Sequence, residues 1–126
     1  GQVAAALKAV DRSEEAIINN PLGPLWYRGL ISRDPKVTQI PEGGPPRPTI
    51  EQELATVLAA YGARRIVVGH TPSLAGIQIQ YDGRLVRIDS GNSRHYNGTP
   101  TYLEIVGDRL IPHSVKRSHS SQGGSE

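Results

Sequence analysis

One stretch decides the fold, Arg64-Arg65-Ile66-Val67-Val68-Gly69-His70-Thr71-Pro72. Residues 66–68 form a continuous apolar run, which is typical of a strand that is buried on both faces. Gly69 allows a sharp backbone turn, and Pro72 ends regular strand hydrogen bonding. His70 is therefore predicted to lie on a loop at the carboxyl end of a buried strand, where open α/β sheets place ligand chemistry. An imidazole there suits metal binding or acid–base catalysis; the alternative is a histidine that only caps the strand end.

The segment before this strand predicts an amphipathic helix. Thr49 and Gln52 have the spacing of a capping box, in which each residue bonds the backbone N–H of the other. The apolar residues that follow lie at helical intervals and are Ile50, Leu54, Val57, Leu58 and Tyr61. Gly62 is a residue that favours the end of a helix. The helix and the strand together predict an α→β unit on one outer layer of a sheet.

The segment after His70 predicts a β-hairpin. Residues 77–81 alternate between apolar and polar side chains, which indicates a strand with one buried and one exposed face. Asp82-Gly83 is a signal for a two-residue type I′ turn, and residues 85–88 would return antiparallel to the first strand.

A second hairpin is predicted nearer the end of the chain. A long polar loop over residues 89–98 comes first, and residues 101–106 then pair with 109–113 through a turn at Gly107-Asp108. The residues from 114 to 126 are polar and rich in serine and glycine, and we expect them to form a disordered tail.

The first 48 residues carry weaker signals. Residues 2–10 predict a helix and 11–19 a second short helix, which the prolines and glycine of 19–24 interrupt. Residues 25–30 predict a strand or an extended loop. Residues 33–48 carry five prolines and two glycines, which indicates no regular element.

Composition narrows the class of protein. The chain has 126 residues, the size of one domain, and a net charge of +2. Much of the excess charge lies at Lys116 and Arg117, so no nucleic-acid partner is predicted. No apolar run approaches the length of a membrane span, and the lack of cysteine suits a reducing compartment as well as an oxidising one. The chain has no methionine, so we expect it to be a processed or incomplete chain.

The order of these features resembles the carboxyl-terminal half of the calcineurin-like metallophosphoesterases. The shared features are the helix before the buried strand, the sequence Gly69-His70-Thr71-Pro72, the Asp-Gly hairpin, and a strand ending in Ile88-Asp89-Ser90-Gly91. The sequences Gly23-Pro24-Leu25-Trp26-Tyr27-Arg28-Gly29 and Arg94-His95-Tyr96 look most like those of the Shewanella-like protein phosphatases. The resemblance covers about residues 20–112.

The resemblance implies a fold and a reaction. It implies an α/β fold of mixed α+β type, with residues 1–113 as the carboxyl-terminal portion of a four-layer αββα sandwich. Such phosphatases hydrolyse phosphomonoesters with two divalent metals, manganese, iron or zinc, which are bridged by a hydroxide. A phosphorylated substrate, either a phosphoprotein or a small phosphoester, is the expected partner.

The resemblance also implies roles for single residues. His70 would be the last metal ligand in chain order. Arg28 would hold phosphate oxygens, with stacking on Trp26 or Tyr27 as the alternative. His95 would protonate the leaving group, unless its loop is simply solvated. Asp89 would support a metal ligand or, as we favour, cap the turn before Gly91.

The remaining metal ligands of the family are missing from this chain. The strings Asp-x-His, Asp-x-x-Asp-Arg and Asn-His do not occur in it, and the family places them before the Trp-Tyr-Arg-Gly segment. We therefore expect this chain to be inactive alone and to need the amino-terminal half of the same domain. Two other functions stay open: a dinucleoside-polyphosphate hydrolase of the same superfamily, and a non-catalytic β-rich binding module that uses the loop 89–98.

Overall fold

The computed structural model describes residues 13, 16, 18–40 and 42–115. Within this part, helices and strands form a mixed α+β structure, which confirms the general fold class. The predicted helix over 2–10, most of the predicted helix over 11–19, and the predicted tail beyond Val115 lie outside the described residues. The chain divides into two compact units, Gly1–Ala55 and Thr56–Glu126.

The described residues form two helices and five strands. In chain order these are α1 (Pro35–Thr38), α2 (Ile50–Tyr61), β1 (Ile66–Val68), β2 (Gln78–Gln80), β3 (Leu85–Arg87), β4 (Thr101–Val106) and β5 (Arg109–Ser114). No helix in this described part is long and apolar enough to cross a membrane.

The first unit begins with a series of turns. The backbone N–H of Gly23 bonds the carbonyl of Asn20 at 2.8 Å, and the N–H of Tyr27 bonds the carbonyl of Gly23 at 3.0 Å. Residues 25–30 are therefore a loop of successive turns, and the strand alternative for this segment is wrong.

A single helical turn, α1, lies within the proline-rich loop. Asp34 caps it, because its carboxylate accepts a bond from the N–H of Lys36 at 2.9 Å, and Pro35 occupies the first helical position. Gln39 has a left-handed backbone, with a φ of 59°, and ends the helix. The prediction of no regular element over 33–48 is wrong for these four residues, since proline favours the first turn of a helix.

The helix α2 matches its prediction closely. The N–H of Gln52 bonds the Thr49 hydroxyl at 3.2 Å, and the N–H of Thr49 bonds the Gln52 side chain at 3.0 Å, so the capping box is confirmed. Leu54 and Leu58 are buried. Tyr61, the last residue of the predicted apolar stripe, is 84% exposed at the last helical position.

The second unit contains a three-stranded sheet in the order β1-β3-β2. The central strand β3 is parallel to β1 and antiparallel to β2, and its Leu85 and Val86 are fully buried. Asp82 and Gly83 have φ angles of 55° and 79°, and the N–H of Arg84 bonds the carbonyl of Tyr81 at 3.1 Å. These values confirm the type I′ turn of the hairpin.

One face of this sheet carries a row of three apolar residues. Val67 on β1, Val86 on β3 and Ile79 on β2 are register partners. Val86 is fully buried, but Val67 is 41% and Ile79 is 43% exposed. The prediction that the strand of residues 66–68 is buried on both faces is therefore wrong for this chain, because β1 is an edge strand and its Val67 is open to solvent.

The hairpin of β4 and β5 forms a separate two-stranded sheet. The strands pair antiparallel in a register that runs from Thr101 opposite Ser114 to Val106 opposite Arg109. Gly107 in the turn has a φ of 59°, which suits glycine. The predicted pairing of 101–106 with 109–113 is confirmed, but the prediction that the disordered tail begins at residue 114 is wrong, because Ser114 is the last residue of β5 and pairs with Thr101.

Candidate functional site

The carboxyl ends of β1 and β3 bring two loops together in the second unit. These are the β1–β2 loop, residues 69–77, and the β3–β4 loop, residues 88–100. The parallel pairing continues past the strands, since the N–H of Ile88 bonds the carbonyl of Val68 at 2.9 Å. The N–H of Ser73 then bonds the carbonyl of Asp89 at 2.8 Å and joins one loop to the other. The two segments in which sequence patterns predicted chemistry are thus neighbours.

His70 lies at the centre of a γ-turn that begins where β1 ends. The N–H of Thr71 bonds the carbonyl of Gly69 at 2.8 Å, and His70 between them has a φ of +66°. This is the rarer and more strained γ-turn, and a side chain in the left-handed region costs about 1–2 kcal/mol. His70 is also exposed. An exposed residue in a strained conformation is the kind of outlier that clusters at functional sites.

Arg87 lies beneath the β1–β2 loop and was not singled out by sequence reasoning. Its Nη2 is 3.5 Å from the carbonyl oxygen of Thr71, and its buried Nε has no partner among the described residues. A positive charge therefore lies next to the His70 turn. The sequence signal was available, because an arginine interrupts an otherwise apolar central strand.

The β3–β4 loop is fastened around a buried serine. Ser90 is fully buried, and its hydroxyl lies 2.6 Å from Asn92 Oδ1, 2.6 Å from Thr101 Oγ1 and 3.0 Å from the carbonyl oxygen of Thr99. These bonds hold the start and the end of the loop together. Sequence reasoning quoted Ser90 only as part of a motif and gave it no role.

Two glycines let the same loop close tightly. The N–H of Gly98 bonds the carbonyl of Gly91 at 3.0 Å, and a Cβ atom on Gly98 would lie 1.9 Å from the carbonyl oxygen of Ser90. A Cβ on Gly91 would lie 2.8 Å from Cβ of Tyr96 and 3.0 Å from Cδ2 of Leu74. Since Leu74 belongs to the β1–β2 loop, the loops of His70 and His95 converge at Gly91.

His95 and Tyr96 are both exposed on the fastened loop. Their rings meet edge to face, with centroids 4.9 Å apart and an interplanar angle of 86°. Asp89 caps the preceding turn as favoured from the sequence, because its Oδ1 accepts a bond from the N–H of Gly91 at 2.9 Å.

Arg28 belongs to the first unit, apart in the chain from the two histidines. Its guanidinium carbon lies 5.9 Å from the centroid of the Trp26 ring. Trp26 is fixed in turn, since its Nε1 donates to the carbonyl of Ile18 at 2.5 Å. The contact with Trp26 is the alternative that the sequence left open for Arg28, and its phosphate-binding role stays a prediction.

The described residues do not by themselves complete a metal centre. Within that part of the chain, no group of three or more histidine, aspartate or glutamate side chains lies together. His70 is one imidazole donor, and two metals need several donors. The geometry therefore places one imidazole, that of His70, at a strand end.

The chain is similar to an uncharacterized protein of fission yeast. No family model and no solved structure matches the chain. A Schizosaccharomyces pombe protein, uncharacterized protein C1840.07c, is 35% identical to it over 83 residues. The match covers 66% of this chain and 21% of that protein, so the chain spans about a fifth of the length of this curated relative.

Proposed function

We propose that this chain is the carboxyl-terminal part of a metal-dependent phosphomonoesterase of the calcineurin-like type, and that His70 is one of its metal ligands. The observation that carries this proposal is the strained turn that holds an exposed imidazole at the end of β1. A solvated loop has no need of such a backbone, whereas a ligand must be held in one orientation.

The neighbouring loop supports the same proposal. The bonds of Ser90 and the close packing at Gly98 hold the β3–β4 loop rigidly, and that loop presents His95 beside the β1–β2 loop. An imidazole carried on such a loop suits transfer of a proton to a leaving alcohol. Arg28 would bind phosphate oxygens, as the family resemblance implies.

An open apolar surface supports the proposal that the rest of an αββα sandwich packs against this chain. A cavity of about 410 Å³ in the second unit is lined by Val67, Ile88, Leu103 and Ile105, together with Tyr102. Val67 and Ile79 flank the buried Val86 on the same face of the sheet. We propose that this face receives the amino-terminal half of the domain, which would also bring the remaining metal ligands.

A binding module is the second candidate function, and the β3–β4 loop is the observation that favours it. A loop that is fastened at both ends and exposes Arg94, His95 and Tyr96 is preorganised for contact with a partner. A dinucleoside-polyphosphate hydrolase would use the same site as the phosphatase and differs only in substrate.

A paired assay tests the phosphatase against the binding module. Hydrolysis of p-nitrophenyl phosphate is measured with manganese for this chain and for the protein extended at its amino terminus, each with and without His70→Ala. Activity of the extended protein alone, with a loss of at least about 100-fold on substitution, is expected for a metal ligand. Absence of activity in the extended protein would favour the binding module.

A further inference from the structure

The first unit contains a cavity that the proposed phosphatase chemistry does not use. It has a volume of about 470 Å³ and lies between the segment that includes Tyr27 and the proline-rich loop. Its walls include the apolar side chains of Leu22, Ile40 and Pro45, and the charged side chains of Arg33 and Arg47. None of the described residues that line it is acidic. The cavity is large enough for a small organic ligand.

Glu53 holds the polar side of this cavity together without lining it. Its Oε2 lies 2.7 Å from Nη2 of Arg33 and 3.3 Å from Nη2 of Arg47, and its Oε1 accepts a bond from the Tyr27 hydroxyl. Arg33 also donates to the carbonyls of Pro48, at 2.9 Å, and of Gly29. Arg33 therefore acts as a structural clamp, because most of its N–H groups are already used.

Arg47 differs from Arg33 because some of its guanidinium N–H groups bond no acceptor among the described residues. Its Nη2 is held by the Tyr27 hydroxyl and by Glu53, and its guanidinium carbon lies 5.6 Å from the centroid of the Tyr27 ring. Its Nε and Nη1 bond no acceptor within the described part of the chain. Two arginines and one glutamate leave a surplus of one positive charge, which Arg47 presents to the cavity.

The position of Arg47 is fixed before any ligand arrives. A Cβ atom on Gly29 would lie 2.2 Å from the Tyr27 hydroxyl oxygen and 2.6 Å from Nη2 of Arg47, so the glycine permits this close packing. Burial, and then the bond to Glu53, raises the pKa of Tyr27 above its usual value, so the hydroxyl stays protonated at neutral pH. A preorganised cation loses little freedom on binding an anion.

We propose that this cavity binds a carboxylate carried on an apolar group, with Arg47 as the residue that binds the anion. A single negative charge balances the single surplus positive charge, whereas a phosphate dianion would exceed it and would be repelled by nearby Glu53 about twice as strongly as a carboxylate at the same distance. The apolar wall receives the hydrocarbon part of the ligand. The ligand is either a free organic acid or the acidic side chain of a peptide, since both present the same chemistry. This proposal does not depend on the phosphatase proposal.

Binding of defined probes to the intact chain tests the proposal. The probes are 3-phenylpropionate as a free acid, the capped peptide acetyl-Leu-Glu-Leu-amide as a side-chain acid, 3-phenylpropanol as a neutral match, and inorganic phosphate. Affinity is measured by calorimetry, and amide chemical shifts of Gly43 and Gly44, which line the cavity, report the place of binding. We expect one or both carboxylates to bind and to shift these amides, and the alcohol to bind at least about tenfold more weakly.

Matched arginine substitutions locate the charge that is responsible. Arg47→Gln should weaken carboxylate binding about tenfold or more, and Arg109→Gln, at an exposed position of β5, should leave it unchanged. Tyr27→Phe should cause a smaller loss of carboxylate affinity, because it keeps the ring and removes only the hydroxyl that holds Arg47. This variant still tests the proposal if Arg47→Gln does not fold. Three results would each overturn the proposal. The alcohol could bind as tightly as the acid, phosphate could bind more tightly than the carboxylates, or the affinity for carboxylates could stay unchanged in both Arg47→Gln and Tyr27→Phe.

Discussion

The two loops that follow the parallel strands β1 and β3 are built in opposite ways. The β1–β2 loop places an exposed histidine in a strained turn, in which the N–H of Thr71 bonds the carbonyl of Gly69. The β3–β4 loop is organised around a buried hydroxyl and two tightly packed glycines. The first loop has a strained backbone at an exposed side chain, and the second is a closely packed loop that lies next to it. Under the proposed function, the β1–β2 loop would carry the metal ligand, and the β3–β4 loop would hold the adjacent part of the site in place.

Replacement of Gly98 should have the largest effect on the supporting loop. Gly98→Ala would place a Cβ atom 1.9 Å from a backbone oxygen, and the chain cannot relieve that clash by rotating a side chain. We expect the free energy of unfolding to fall by about 3 kcal/mol, measured by urea denaturation followed by circular dichroism. Gly44→Ala, where an added Cβ meets nothing within 4 Å, is the control. Equal effects of the two substitutions would show that the loop is not tightly closed.

Loss of the Ser90 hydroxyl should have the next largest effect. Ser90→Ala removes the buried hydroxyl that lies within hydrogen-bond distance of Asn92 Oδ1, Thr101 Oγ1 and the Thr99 carbonyl, which costs about 2 kcal/mol of unfolding free energy. Ser114→Ala, at an exposed position at the end of β5, should change stability by less than about 0.5 kcal/mol. A stable Ser90→Ala variant would remove the basis for treating this loop as closely packed.

The strain at His70 should reverse the usual order of stability, in which a variant with alanine is more stable than a variant with glycine. With a φ of +66°, His70→Gly should be more stable than His70→Ala by about 1 kcal/mol, because glycine has no Cβ to clash in the left-handed region. At Ser93, which is not among the residues with a positive φ, alanine should be at least as stable as glycine. Thermal unfolding of the four variants measures both differences. The same order at both positions would contradict a strained turn at His70.

Substitution of Asp89 should have the smallest effect on stability. It also distinguishes the two predicted roles of this residue, which are to cap a turn or to support a metal ligand. Asp89→Ala removes the acceptor for the N–H of Gly91 and should cost about 0.5 kcal/mol in unfolding free energy. Asp89→Asn keeps an acceptor oxygen and should be neutral. A role in supporting a metal ligand would instead appear as loss of hydrolysis in the extended protein carrying Asp89→Asn.

Local sequence signals predicted the elements whose causes are local. The capping box of Thr49 and Gln52 and the Asp82-Gly83 turn depend on residues a few positions apart, so the sequence identified them correctly. The burial of Val67 depends on what covers the edge of the sheet, which a local pattern does not contain, and it was wrongly predicted.

The same distinction applies to the candidate site. The Gly-His-Thr-Pro sequence indicated a loop at the end of β1, but the strain at His70 depends on backbone angles that composition does not reveal. The interactions of Ser90 with Thr101 and of Arg87 with Thr71 join residues that are distant in sequence. Only the folded chain brings them together.

The most direct test of the central claim is a count of bound metal. Manganese bound to the protein extended at its amino terminus is titrated by electron paramagnetic resonance, in the wild type and in His70→Ala, with His113→Ala as the control on β5. If His70 is a metal ligand, two ions per chain are expected in the wild type and in the control, with the loss of at least one ion in His70→Ala. Unchanged binding in His70→Ala would contradict the assignment of His70 as a metal ligand.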